Sequence, residues 1–150
     1  AASAHHRLES ITDAAAALWS ACDLRWEAAQ EVGWAIYDMR CEREAGNAIP
    51  QEYWASRTNA LRAQSAATAQ ARGALGRLKL SGASPLLLTT AAELLQRSAP
   101  YTIGKDGEAP KEALRATALA AFETTVEAEQ SALVKPRKQR RFQHPRTKAS

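Results

Sequence analysis

The stretch LESITDAAAALWSACDLRWEAAQEVGWAIYDM, residues 8–39, decides the fold. Taken in sevens it gives Leu8, Ile11, Ala15, Leu18, Cys22, Arg25, Ala29, Val32, Ile36 and Met39. Steps of three and four place these residues on one stripe of an α-helix, and the sevenfold repeat keeps that stripe facing a partner helix. Only Arg25 interrupts it. A charge on an inner stripe must pair with a carboxylate or carry its head out to water. Trp19 and Trp26, seven apart, widen the apolar face and call for a covering helix besides the hairpin partner. Trp34 and Tyr37 fall on a side that faces outward. They cap the bundle or lie along it, or they form a contact patch for another chain, since aromatics anchor interfaces. Asp23, Glu27 and Glu31 make an acidic stripe.

Outward from this stretch, the expected first helix runs from about Ser3 or Arg7 to Ala45, with Gly46-Asn47 as its stop. Pro50 suits the start of a second helix, reaching Leu80, with Trp54, Leu61, Thr68, Leu75 and Leu78 in sevenfold rhythm and Ala67, Ala71 and Ala74 alongside. The short connection makes the two helices antiparallel neighbours. Gly73 and Gly76 allow a close backbone approach or a bend. Ser84 and Pro85 signal a third helix to Arg97, short and leucine-rich. A loop from Pro100 to Pro110 follows, with Lys105-Asp106-Gly107 as a turn and Tyr101 and Ile103 as pins. A fourth helix from Pro110 to Leu133 turns Leu114, Ala118, Ala121, Phe122, Val126 and Leu133 inward. It is the expected cover for the Trp19 and Trp26 flank.

The chain has 150 residues and 45% hydrophobic content, much of it alanine, the strongest helix former. Strand-favouring residues are scattered, and no period-two run occurs. The expected fold is all-α: a long antiparallel hairpin, a short third helix and a covering fourth helix, forming an elongated four-helix bundle over residues 1–134. The net charge of +4 hides an asymmetry. Residues 1–134 hold thirteen cations and sixteen acids, and residues 135–150 hold seven cations and no acid. The last segment, KPRKQRRFQHPRTKAS, reads as a disordered basic tail.

The step RLKLSGASPLLLTTAAELL resembles one found in a loose group of uncharacterised actinobacterial alanine-rich helical-hairpin proteins. The matching residues are Arg77, Leu78, Leu80, Gly82, Pro85, Ala91, Ala92 and Leu94, within a likeness over roughly residues 50–130. The basic tail departs from it. The resemblance implies a helical hairpin and no particular activity.

Chemistry-bearing patterns are missing. The three histidines, His5, His6 and His144, lie in the expected frayed ends. Cys22 occupies a stripe position, and Cys41 lies 19 residues on along the same helix, roughly 28 Å away and beyond disulfide reach. No Glu-x-x-His pair, CxxC pair or phosphate-cradling loop occurs. The chain is therefore expected to be no enzyme, to hold no metal or cofactor, to carry no transmembrane segment and to reside in the cytoplasm. The expected function is that of a structural or interaction protein, acting through a coiled-coil-like hairpin surface with Trp34 and Tyr37 at the interface with a protein partner or a second copy. The alternative is nucleic-acid binding by the tail. There Lys135, Arg137, Lys138, Arg140, Arg141, Arg146 and Lys148 neutralise phosphates and Phe142 stacks on a base. The same tail suits anionic lipid, nuclear import, or solubility alone.

Overall fold

The computed structural model describes residues 2–98 and 111–148, with side chains described for residues 3–98 and 111–134. These residues form four helices and no strand: α1 (Ala2–Glu44), α2 (Gln51–Leu80), α3 (Pro85–Arg97) and α4 (Lys111–Lys148). The loop residues Tyr101, Ile103 and Lys105-Asp106-Gly107 lie outside the described residues. The basic tail expected from Lys135 lies outside the described side chains.

Two glycines end the hairpin helices in the same way. Gly46 has φ +77° and Gly82 has φ +74°, the left-handed region that a side chain would strain. After α1, the Gly46 amide donates to the Arg43 carbonyl and the Asn47 amide to that of Glu42. After α2, the Gly82 amide donates to Lys79 and the Ala83 amide to Leu78. Both are Schellman caps, which satisfy carbonyls left over at a helix end. The second turns directly into α3. Ser84 Oγ accepts from the Leu87 amide at 3.2 Å, and Pro85 opens the helix. Glu129 of α4 accepts from the Ser84 amide at 3.0 Å, tying this corner to the fourth helix.

α1 and α2 pack antiparallel along their length through small residues. On α2 the buried row is Ala60, Gln64, Ala67, Ala71, Ala74 and Leu78, a repeat of threes and fours. Opposite it lie Ala14, Leu18, Ala21, Ala28, Val32, Ala35 and Met39 of α1. This corrects the expected order on α2. The alanine row faces α1, while Leu75 and Thr68 are half-buried and Leu61 and Trp54 are exposed. Alanine lets two helix backbones approach closely, and the bulkier residues are left on the flank, where a third layer can meet them.

α3 and α4 supply that layer over half of the hairpin. α3 runs alongside the first half of α1: Arg7 donates to the Gly82 carbonyl just before it, and Arg25 donates to the Leu95 carbonyl near its end. α4 runs the other way, with Arg115 on Asp23 and Gln130 on Thr12. The core between them is Ile11, Leu18, Cys22, Leu78, Leu87, Leu94 and Phe122. Of the inward residues expected on α4, Ala118 and Phe122 are buried, and Leu114, Val126 and Leu133 are half-buried. Ala121 is exposed, and Thr125 is buried in its place. The Thr125 hydroxyl is satisfied by donating to the Ala121 carbonyl at 2.6 Å. α4 reaches Trp26, which is half-buried, but leaves Trp19 substantially exposed.

Gly73 and Gly76 bring no backbone close: nothing lies within 4 Å of where either Cβ would stand. They only weaken α2. Gly73→Ala is expected to raise stability by about 1 kcal/mol, as the helix propensities imply. Gly82→Ala, at positive φ and against Arg7, is expected to lower it by about the same amount. Urea unfolding followed by circular dichroism checks both signs.

Candidate interaction surface

Arg25 ties α1 to the end of α3, and Asp23 and Trp26 tie it to Arg115 near the start of α4. The hairpin continues as a two-helix arm for about 18 residues of each helix, roughly 27 Å at 1.5 Å per residue. Its inner seam is closed by Ala28, Val32, Ala35, Met39, Ala60 and Ala67. One flank continues the stripes that α3 and α4 cover nearer the base. On α1, Cys22, Ala29 and Ile36 are seven apart, and on α2, Leu75, Thr68, Leu61 and Trp54 are seven apart. Cys22 is buried and Leu75 packs on the core. Ile36, Leu61 and Trp54 stand 40–42% exposed. Ile36 therefore departs from the buried stripe expected for it, because the layer that would cover it stops short.

Tyr37, 56% exposed, lies beside this flank, and Trp34, 68% exposed, lies further round α1, seven residues past Glu27. Their rings meet edge to face, with centroids 6.1 Å apart and planes at 89°. The Cys41 side chain, one turn on, is the main influence raising the Tyr37 hydroxyl above the ordinary tyrosine pKa. The sequence brought Trp34 and Tyr37 forward but missed Ile36, Leu61 and Trp54. The available signal was length. A 13-residue α3 cannot cover a 30-residue α2.

The base of the arm is a polar junction. Arg25 Nη1 donates to the Leu95 carbonyl at 2.6 Å, so the expected ionic partner is instead the C-terminal end of α3. A helix C-terminus carries partial negative charge and favours a cation. Arg115 Nη2 meets Asp23 Oδ1 at 2.8 Å, and its guanidinium lies 5.1 Å from the centre of the Trp26 ring. Cys22 sits beneath, beside Ser98. Burial pushes its thiol up to about 11, partly offset by the Ser98 hydroxyl, Arg25 and Arg115. Thiolate chemistry at neutral pH is thereby suppressed. Burial likewise lowers the Arg25 pKa from its ordinary value, and Arg72 nearby lowers it further.

Two shallow grooves flank the hairpin. One, near the start of α1, is lined by His6, Arg7, Asp13 and Arg77 among others, and the other by Leu24, Glu27, Glu31 and Gln70 with alanines between. His5 pairs with Glu9 at 3.2 Å. Among the described residues no group of three or more His, Cys, Asp or Glu gathers to hold a metal ion, and no helix is long and apolar enough to cross a membrane. The tail residues named for nucleic acid, Lys135, Arg137, Lys138, Arg140, Arg141, Phe142, Arg146 and Lys148, lie outside the described side chains. No protein-family model, curated protein or solved structure matches the chain.

The two thiols are expected to differ sharply. Under native conditions maleimide should label Cys41 and spare Cys22, with a second label added only in denaturant. The Cys22 thiol holds its proton more tightly folded than unfolded, so its contribution to stability is full below about pH 9 and is lost as the pH rises toward about 11. Alkaline unfolding curves of the wild type and Cys22→Ala should diverge over that window, the wild type losing stability faster.

Proposed function

We infer that this chain is a non-enzymatic interaction protein whose working surface is the coiled-coil-like arm of its hairpin. One observation carries the reading: the arm leaves Ile36, Leu61 and Trp54 exposed along one flank, with the exposed Trp34–Tyr37 ring pair further round α1. Apolar surface gathered along one flank of a folded chain is often functional. The four-helix base anchors the arm, and the arm projects the flank.

Nucleic-acid binding by the tail is the second reading, favoured by seven cations with no acid after Val134. The two readings respond differently to salt. Full engagement of the tail gives a slope of up to about −6 in log affinity against log salt, whereas an apolar arm contact is far flatter.

A photo-crosslinker attached to Cys41 tests the first reading in lysate of the source cells. The expected adduct is a protein, persists in high salt and after nuclease, and is lost with Trp34→Ala/Tyr37→Ala. It should survive replacement of the seven tail cations by Gln. An adduct that nuclease or tail neutralisation removes would transfer the function to the tail.

A further inference from the structure

The charge of the exposed flank names its partner. By helix register, Arg57 lies between Trp54 and Leu61, three and four residues from them, and Arg40 lies one turn beyond Ile36. Arg72, eleven residues past Leu61 on α2, stands toward the base, where it raises the positive field at Arg25. Among the described residues Arg40, Arg57 and Arg72 make no ion pair. Of the described acids, Asp38 and then Glu44 act on Tyr37, toward the tip of the arm. The acids Glu27 and Glu31 line the opposite groove with Leu24. The flank is thus an apolar strip edged with unpaired guanidinium groups.

Gly33 lies on the same side of α1, seven residues past Trp26 and seven before Arg40. Nothing stands within 4 Å of where its Cβ would be. A glycine inside a helix is unfavourable, and nothing among the described residues uses the space it leaves. A helix laid across the flank would use it, because a missing side chain lets two backbones approach.

The geometry points to an acidic amphipathic α-helix of another protein, seated on the Ile36–Leu61–Trp54 flank where the layer of α3 and α4 stops. The proposal rests on reading the arm as the interaction surface. Its apolar face covers Ile36, Leu61 and Trp54, and its Asp or Glu residues meet Arg40 and Arg57, the helix-in-groove mode of recognition. A second copy fits less well, since two-fold pairing of identical faces sets arginines against arginines. Nucleic acid meets the arginines but leaves Ile36 and Leu61 uncovered.

A phage library of random 18-residue helical peptides, selected against the full chain, tests this. The expected winners carry apolar residues at i, i+3, i+4 and i+7 with acidic neighbours. By fluorescence anisotropy the best synthetic peptide should lose at least tenfold in affinity with Arg40→Glu/Arg57→Glu or with Leu61→Asp. Leu24→Asp, in the opposite groove, should leave it unchanged. All of these sites are exposed or half-buried, and circular dichroism confirms that each variant is folded. Winners without acidic bias, or insensitive to both flank variants, overturn the proposal. Winners that Leu24→Asp abolishes, or an arm-dependent dimer in sedimentation, overturn it while keeping the arm as the interaction surface. Failure to select any arm-dependent peptide overturns both, and binding of a mixed-sequence oligonucleotide that Arg40→Glu/Arg57→Glu abolishes assigns the flank to nucleic acid instead.

Discussion

Close contact of α1 and α2 through alanine is the constraint on which the rest of the structure depends. Ala60, Ala67, Ala71 and Ala74 meet a facing row that is itself rich in alanine. Such a seam orders helices with no loss of side-chain entropy at the alanines, but each residue buries little apolar surface. Two helices joined only in this way are marginal in water, because helix stability in proteins comes chiefly from packing an apolar face. The larger residues must therefore be concentrated somewhere. They are found where α3 and α4 close over the first half of α1, with Ile11, Leu18, Leu78, Leu87, Leu94 and Phe122 fully or nearly fully buried. The base supplies the stability, and the arm inherits it through two continuous helices.

Where the arm begins is set by polar chemistry. A helix that ends inside a bundle leaves carbonyls that need partners. Arg25 supplies one for α3, and the Ser98 amide bonds back to the Leu94 carbonyl at 3.0 Å. Arg115, near the start of α4, is held by Asp23 and the Trp26 ring. The arginine that interrupts an otherwise apolar stripe thus marks the point at which the third and fourth helices stop. Its charge belongs to a helix end and not to a carboxylate.

Much of this was legible in the sequence because it is local. Alanine content, the sevenfold stripe on α1, the glycines after α1 and α2, and the Ser84-Pro85 start of α3 each act within a turn or two, and the helix bounds over residues 2–97 follow from them. The arrangement of layers is not local. Ile36 and Cys22 hold equivalent positions in the same repeat, yet one is exposed and the other buried. The difference lies in how far two other helices reach, which no property of residue 36 encodes. For the same reason Trp54 and Leu61 read as core. Trp34 and Tyr37 were legible as outward because they break the repeat that their neighbours keep. The partner of Arg25 was hidden because a backbone carbonyl has no sequence signature.

Exposed aromatics on a projecting arm are a liability unless something covers them, and the arm is suited to being covered. Trp34 and Tyr37 already restrain each other edge to face, so ordering them on binding sacrifices less side-chain freedom than it would for isolated rings. The backbone beneath them is helical with its hydrogen bonds made, so a partner need not fold the surface that it meets. Binding energy from the apolar strip is then not spent on organising this chain. The guanidinium groups at its edge contribute mainly to encounter rate and orientation, which is where exposed charge acts most strongly. An arm built in this way, with an alanine-rich seam inside and an apolar strip edged with arginine outside, separates the residues that hold the fold from those free to recognise a partner.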